Sequence, residues 1–231
     1  MNVNDIESEA PEIKPGDCRF VIIGVRQELL MKRYDIIETK NGFVVPSWPV
    51  NLDDRFDQQR LKDLAWRVTE ELTEATEARF HSPEDLTHCR EELADAFHFL
   101  IELSLTAGLT RRDIINNLKM GRIEGSNTFL QGCLLKTMFR EVSQKQHGQQ
   151  HLNVACYKLI EDIGKAMNCL KNKPWKQTHL ITDKPKFIGH LCNSFLRMAD
   201  CSLDLGMDAD QFYKMYFKKS EVNKFRIESN Y

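Results

Sequence analysis

"TEELTEATEARFHSPEDLTHCREELADAFHF", residues 69–99, carries a helical hydrophobic repeat with acidic flanks on both sides of a break at "SPED". At about 100° per residue, Leu61, Leu64, Ala65, Val68, Leu72 and Ala75 fall on one stripe, with Glu71 and Glu74 together on its flank. Glu70 and Glu77 lie nearly opposite and read as solvated. The segment after the break repeats the pattern, with Leu93, Ala96, Phe97, Leu100 and Ser104 on the stripe and Glu92 and Asp95 on one flank. Glu91 and His98 lie farther round. Two readings of these flanks stand side by side, a solvated charged face and a site where four carboxylates from adjacent helices converge. Held close together, like charges raise one another's pKa values, and a hard divalent cation such as Mg²⁺ removes that cost.

Working outward, "SPED" at 82–85 reads as a helix start, with Ser82 as cap and Asp85 closing the box, and Gly108 as the stop. "TRRD" at 110–113 offers a similar cap. Before the stretch, one helix is expected through "FVIIGVRQELLMKRYDII" and another over about 55–79. Between them "GFVVPSWPVNLDD" is broken by Pro46 and Pro49. Beyond it, helices are expected around 133–146, 152–171, 186–205 and 208–220. No segment shows the alternation of a β-strand, so the fold class is all-α. Residues 1–16 read as a mobile tail and 17–231 as the folded domain.

"LADAFHFLIELSLTAGL" at 93–109 aligns without a gap on "LCNSFLRMADCSLDLGM" at 191–207, placing Phe97 on Phe195 and Gly108 on Gly206. The alignment suggests a helical bundle of two related units, 17–124 and 125–231, with chance likeness between amphipathic helices as the alternative. Glu92 falls on His190 and Asp95 on Asn193, so a duplicated second unit would be degenerate at the carboxylates.

Composition narrows the classes. The chain has 231 residues, 42% hydrophobic and 29% charged, with a net charge of −2. That balance gives no long-range attraction for nucleic acid or an anionic membrane. "FVIIGV" at 20–25 is too short to span a bilayer, and no signal-like start precedes it, so a cytoplasmic location is expected, in the host cytoplasm if the chain is phage-encoded. Seven cysteines without a C-x-x-C read as reduced thiols. "HGQQH" at 147–151 reads as a loop, with a metal pair as the alternative. The carboxyl-terminal "FYKMYFKKSEVNKFRIESNY" sets Lys219, Asn223 and Arg226 after a helix, where a Lys charge and an Arg fork suit polyphosphate oxygens. An exposed basic helix end is the plainer explanation.

Taken together, "EELTEA", "EELADAFHF" and "KKSEVNKFRIESNY" resemble the dimeric all-α dUTPases of the MazG-like nucleoside triphosphate pyrophosphohydrolase superfamily, which includes phage dCTP/dUTP pyrophosphatases. The matching segments keep the family's order over about residues 20–231. The resemblance implies that Glu71, Glu74, Glu92 and Asp95 bind two or three Mg²⁺ ions, with Glu71 as the catalytic base. Lys219, Asn223, Arg226 and Tyr231 would contact phosphates or sugar, and Gln27 would lie near the nucleoside pocket. It also implies a deoxynucleoside triphosphate substrate, most simply dUTP converted to dUMP and pyrophosphate, and a homodimer. The chain departs from the family pattern at Leu30, where an Asn is usual, at Ile227 after Arg226, where a Gln is common, and in an aromatic residue with no counterpart unless it is Phe80. Those departures bear on the base, so dCTP or a modified deoxynucleotide is the neighbouring expectation. A non-catalytic helical interaction module derived from such an enzyme is the reading from a different class.

Overall fold

The computed structural model describes residues 10–14, 17–117, 134–144 and 152–229. Among them are eight α-helices and no strand: α1 (Arg19–Lys40), α2 (Arg55–His81), α3 (Thr87–Thr106), α4 (Arg111–Asn117), α5 (Leu134–Gln144), α6 (Leu152–Cys169), α7 (Lys184–Asp204) and α8 (Ala209–Glu228). The all-α expectation holds. No helix is long and apolar enough to cross a membrane. The "HGQQH" segment and Tyr231 lie outside the described residues.

The hydrophobic stripes dictate the pairing. α2 packs along α3, and α6 packs along α7, while α8 and α1 close over α3. The predicted α2 stripe from Leu61 to Ala75 is buried throughout, as are Leu93, Ala96, Phe97 and Leu100 of α3. Phe97 sits where these layers meet, with ring centroids 4.8 Å from Phe212, 5.8 Å from Tyr216 and 6.4 Å from Phe195. Such aromatic pairs add about 0.5–1.5 kcal/mol beyond area burial. The two phenylalanines matched by the internal alignment, Phe97 and Phe195, therefore touch each other edge to face. Their helices also stop identically. Gly108 and Gly206 take φ of 75° and 70°, and the following amides reach back to Ser104 O at 2.8 Å and Ser202 O at 2.9 Å. Only glycine adopts that left-handed turn without strain.

Two boundaries differ from expectation. Ser82 ends α2 instead of starting α3, because its amide still donates to Ala78 O. The residues 82–86 form a turn in which Asp85 Oδ1 accepts the Thr87 amide at 2.9 Å, one residue ahead of Leu86 at the cap position of α3. α8 runs on to Glu228. Lys219, Asn223 and Arg226 thus lie on one helical face at i, i+4 and i+7, where the sequence suggested a segment beyond the helix.

The connection before α7 is fastened to the start of α2. Asn172, fully buried, donates from Nδ2 to Asp53 O at 2.7 Å and to Leu180 O at 2.8 Å, and its Oδ1 accepts the Leu180 amide at 2.7 Å. Gln58, also fully buried, accepts the Asn172 amide at 3.0 Å. Pairing every polar group here fixes the path of residues 172–182 against α2.

Candidate active site

Four helices converge on one cleft. Its cavity of about 210 Å³ is lined from α1 by Gln27, Leu30 and Tyr34, from α2 by Arg67 and Glu71, from α3 by Asp95, His98, Phe99 and Glu102, and from α8 by Asn223 and Arg226. The packing of α1 and α8 over α3 creates it. Helical spacing selects the side chains: 27, 30 and 34 share a face of α1, and 95, 98 and 102 share a face of α3.

At its α2–α3 edge, carboxylate oxygens of Glu71, Glu74 and Glu92 lie within 4.8 Å of one another. Glu92 is buried, Glu71 half-buried and Glu74 exposed. This all-oxygen donor set has the chemistry to hold a hard divalent cation. Burial raises the Glu71 pKa to about 8, helped by the charge of Asp95, by a hydrogen bond and the charge of Glu92, and by Glu74. Glu92 is also 3.0 Å from His88 Nδ1.

Asp95 stands apart from that three-residue cluster. Its Oδ2 is 2.6 Å from Lys219 Nζ, with both residues largely buried. Burial raises the Asp95 pKa, opposed by the Lys219 charge and hydrogen bond. The predicted phosphate lysine and the predicted metal aspartate thus form one ion pair, linking α8 to the acidic edge. Of the remaining predicted residues, Gln27, Asn223 and Arg226 line the cleft.

His98 and Gln27 form the cleft's apolar-side floor. His98 is fully enclosed, its Nδ1 2.7 Å from Gln27 Oε1 and its Nε2 3.2 Å from Tyr216 O. Its ring stacks on Tyr216 with centroids 4.1 Å apart, and the Tyr216 hydroxyl donates to Gln27 Oε1 at 3.0 Å. Burial pushes the His98 pKa down to about 3, so the imidazole is neutral at physiological pH. The Gln27 carboxamide is thereby held at a fixed orientation.

Four cleft residues escaped the sequence reading. Arg67, Tyr34 and Phe99 carried no motif, but Glu102 carried a signal: it lies seven residues after Asp95 on the same flank of α3. Burial raises the Glu102 pKa to about 7, against the lowering effect of the Arg60 and Arg67 charges. Arg60 joins Glu102 at 3.4 Å to Glu38 at 2.9 Å, and Arg67 meets Glu38 at 3.2 Å. Glu70 and Glu91 are not among the clustered carboxylates: Glu70 accepts from Trp66 Nε1 and Glu91 from Lys218 Nζ.

A protein-family model described as dUTPase matches residues 71–231, covering the acidic edge of α2 and α3 and the α8 face alike. Searches among curated proteins and among solved structures give no significant match.

Proposed function

The chain belongs to the all-α dUTPase family, and from that premise we propose that it is a Mg²⁺-dependent deoxynucleoside triphosphate pyrophosphohydrolase that converts dUTP to dUMP and pyrophosphate. The observation that carries the proposal is the acidic edge opening into a cleft that also holds Asn223 and Arg226. Glu71, Glu74 and Glu92 would hold the metal, with Asp95 beside them. When bound, Mg²⁺ supplies charge neutralisation at the phosphates and lowers the pKa of a coordinated water.

The chain's own groups account for the rest. Glu71 accepts the proton of the attacking water, since it faces both the cleft and the other carboxylates. Lys219 orients Asp95, and together with Arg226 offers positive charge to the leaving pyrophosphate. Asn223, between Lys219 and Arg226 on the same face of α8, meets the phosphates or sugar, and Gln27, braced by His98 and Tyr216, presents its amide to the nucleoside. A base that leaves a braced polar group unpaired is rejected more strongly than one differing in bulk. Pyrophosphate release should therefore be Mg²⁺-dependent and fastest for dUTP across a panel of deoxy- and ribonucleoside triphosphates. Faster turnover of dCTP would reassign the base while keeping the chemistry. No release from any triphosphate would leave the interaction-module reading.

A homodimer completes the proposal. α1 buries Ile23, Gln27, Leu30 and Met31 inside the protein, yet Val21, Val25, Leu29 and Ile36 stand exposed along a second stripe. An exposed apolar stripe from Val21 through Leu29, with Ile36 beyond Lys32, is suited to pairing with its own copy. Sedimentation should show a dimer that Val25→Glu with Leu29→Glu converts to monomer. A dimer unchanged by that pair would place the interface elsewhere.

A further inference from the structure

The second helix pair has its own cleft, and its charge is the reverse of the first. Placing the buried stripe of α6 on that of α2 sets Leu152 on Leu61, Leu159 on Val68, Ile163 on Leu72 and Ala166 on Ala75. Asp162 then stands at the position of Glu71 and Lys165 at that of Glu74. The α3–α7 alignment sets His190 at the position of Glu92. The single retained acid, Asp162, is buried and already neutralised by Arg197 Nε at 3.2 Å. Lys165 and His190 line a cavity of about 430 Å³ together with Lys171 and Lys186.

Around this cavity, the charges do not cancel. Lys165 pairs with Glu161 at 2.8 Å, and Lys171 donates to the neutral Asn168 Oδ1 at 3.2 Å. Among the described residues, no carboxylate lies within ion-pair distance of Lys171 or Lys186. Asp183, the one carboxylate lining the cavity, caps α7 by accepting the Lys186 amide at 3.2 Å, and its single negative charge is set against three lysines. Ammonium groups gathered around one concavity, on chain segments braced by buried Asn172, hold a focused positive potential.

We infer that the α6–α7 cleft, lined by Lys165, Lys171, Lys186 and His190, is a polyphosphate-anion site distinct from the carboxylate cleft. Its ligand is pyrophosphate or the phosphate tail of a nucleotide, bound without a divalent metal. The site stands whether or not the chain hydrolyses dUTP, because none of its residues belongs to the acidic edge.

The test is calorimetric titration of the metal-free, full-length protein with inorganic pyrophosphate, and separately with dUMP and dUTP. Pyrophosphate should bind, and Lys171→Ala with Lys186→Ala should weaken it at least about tenfold while thermal unfolding is unchanged. Lys171→Arg with Lys186→Arg should restore binding. dUTP bound more than about tenfold tighter than pyrophosphate, and weakened by the same Lys171 and Lys186 pair, would identify a nucleotide tail, and equal affinity a free anion. No pyrophosphate binding, or binding insensitive to the Lys171 and Lys186 pair, overturns the inference. Failure of the hydrolysis proposal would show instead as absent turnover with this binding unaltered.

Discussion

Glu92→Gln should abolish pyrophosphate release while the metal-free protein unfolds at the same temperature or higher. Glu92 is buried at the meeting point of α2 and α3, hydrogen-bonded to Glu71 and within reach of Glu74. Altering groups that only orient a metal ligand costs about 10–100-fold, so removing a ligand carboxylate should exceed about 100-fold in turnover. The stability effect runs the other way. Glutamine keeps the size and a hydrogen-bonding head but removes one of the like charges that hold the Glu71 pKa at about 8. A variant that loses activity because it unfolds would point to a packing role for Glu92. One that stays active would remove Glu92 from the site.

Saturating Mg²⁺ should raise the melting temperature of the wild-type protein, and the rise should grow with pH. At 100 times Kd, a ligand bound only by the folded state adds about 2.7 kcal/mol. For a chain of this size that corresponds to a shift of roughly 5–10 °C. Glu71 sets the pH dependence. Its folded pKa, about 8, is above the ordinary 4.5, so between those values the folded protein keeps a proton that the unfolded chain releases. Metal-free stability therefore falls as pH rises through that window. A bound cation favours the ionised carboxylate, so Mg²⁺ offsets this loss most completely near its upper end. The thermal shift should be small near about pH 6 and largest above about pH 8. It should vanish in Glu92→Gln. A shift independent of pH, or one that persists in that variant, would place the metal elsewhere, and no shift at all would favour a non-catalytic helical module.

Charge placement separates what was legible in the chain from what was not. Glu71, Glu74 and Glu92 were readable as a set because flank position on a helix follows from 3.6-residue periodicity alone. The reading failed at "SPED", where Ser82 and Asp85 satisfy a start pattern yet serve the end of α2 and the turn before α3. Local capping chemistry does not say which of two neighbouring helix ends claims the residue. Glu102 shows the opposite case. Its position on the flank of α3 was visible, but its place in the cleft depends on Arg60 and Arg67 arriving from α2.

By itself, the sequence determined the all-α class, the stripes that α2 and α3 bury, and the glycine stops at 108 and 206, because these follow from local periodicity and backbone preference. Only the tertiary structure decided that Asp95 is held by Lys219 from 124 residues away in the chain and that His98 and Gln27 share a floor with Tyr216. It also decided that α6 and α7 enclose a cleft of the opposite charge. Those pairings join side chains that no local rule brings together. They follow from which helical faces meet when the apolar stripes are buried against one another.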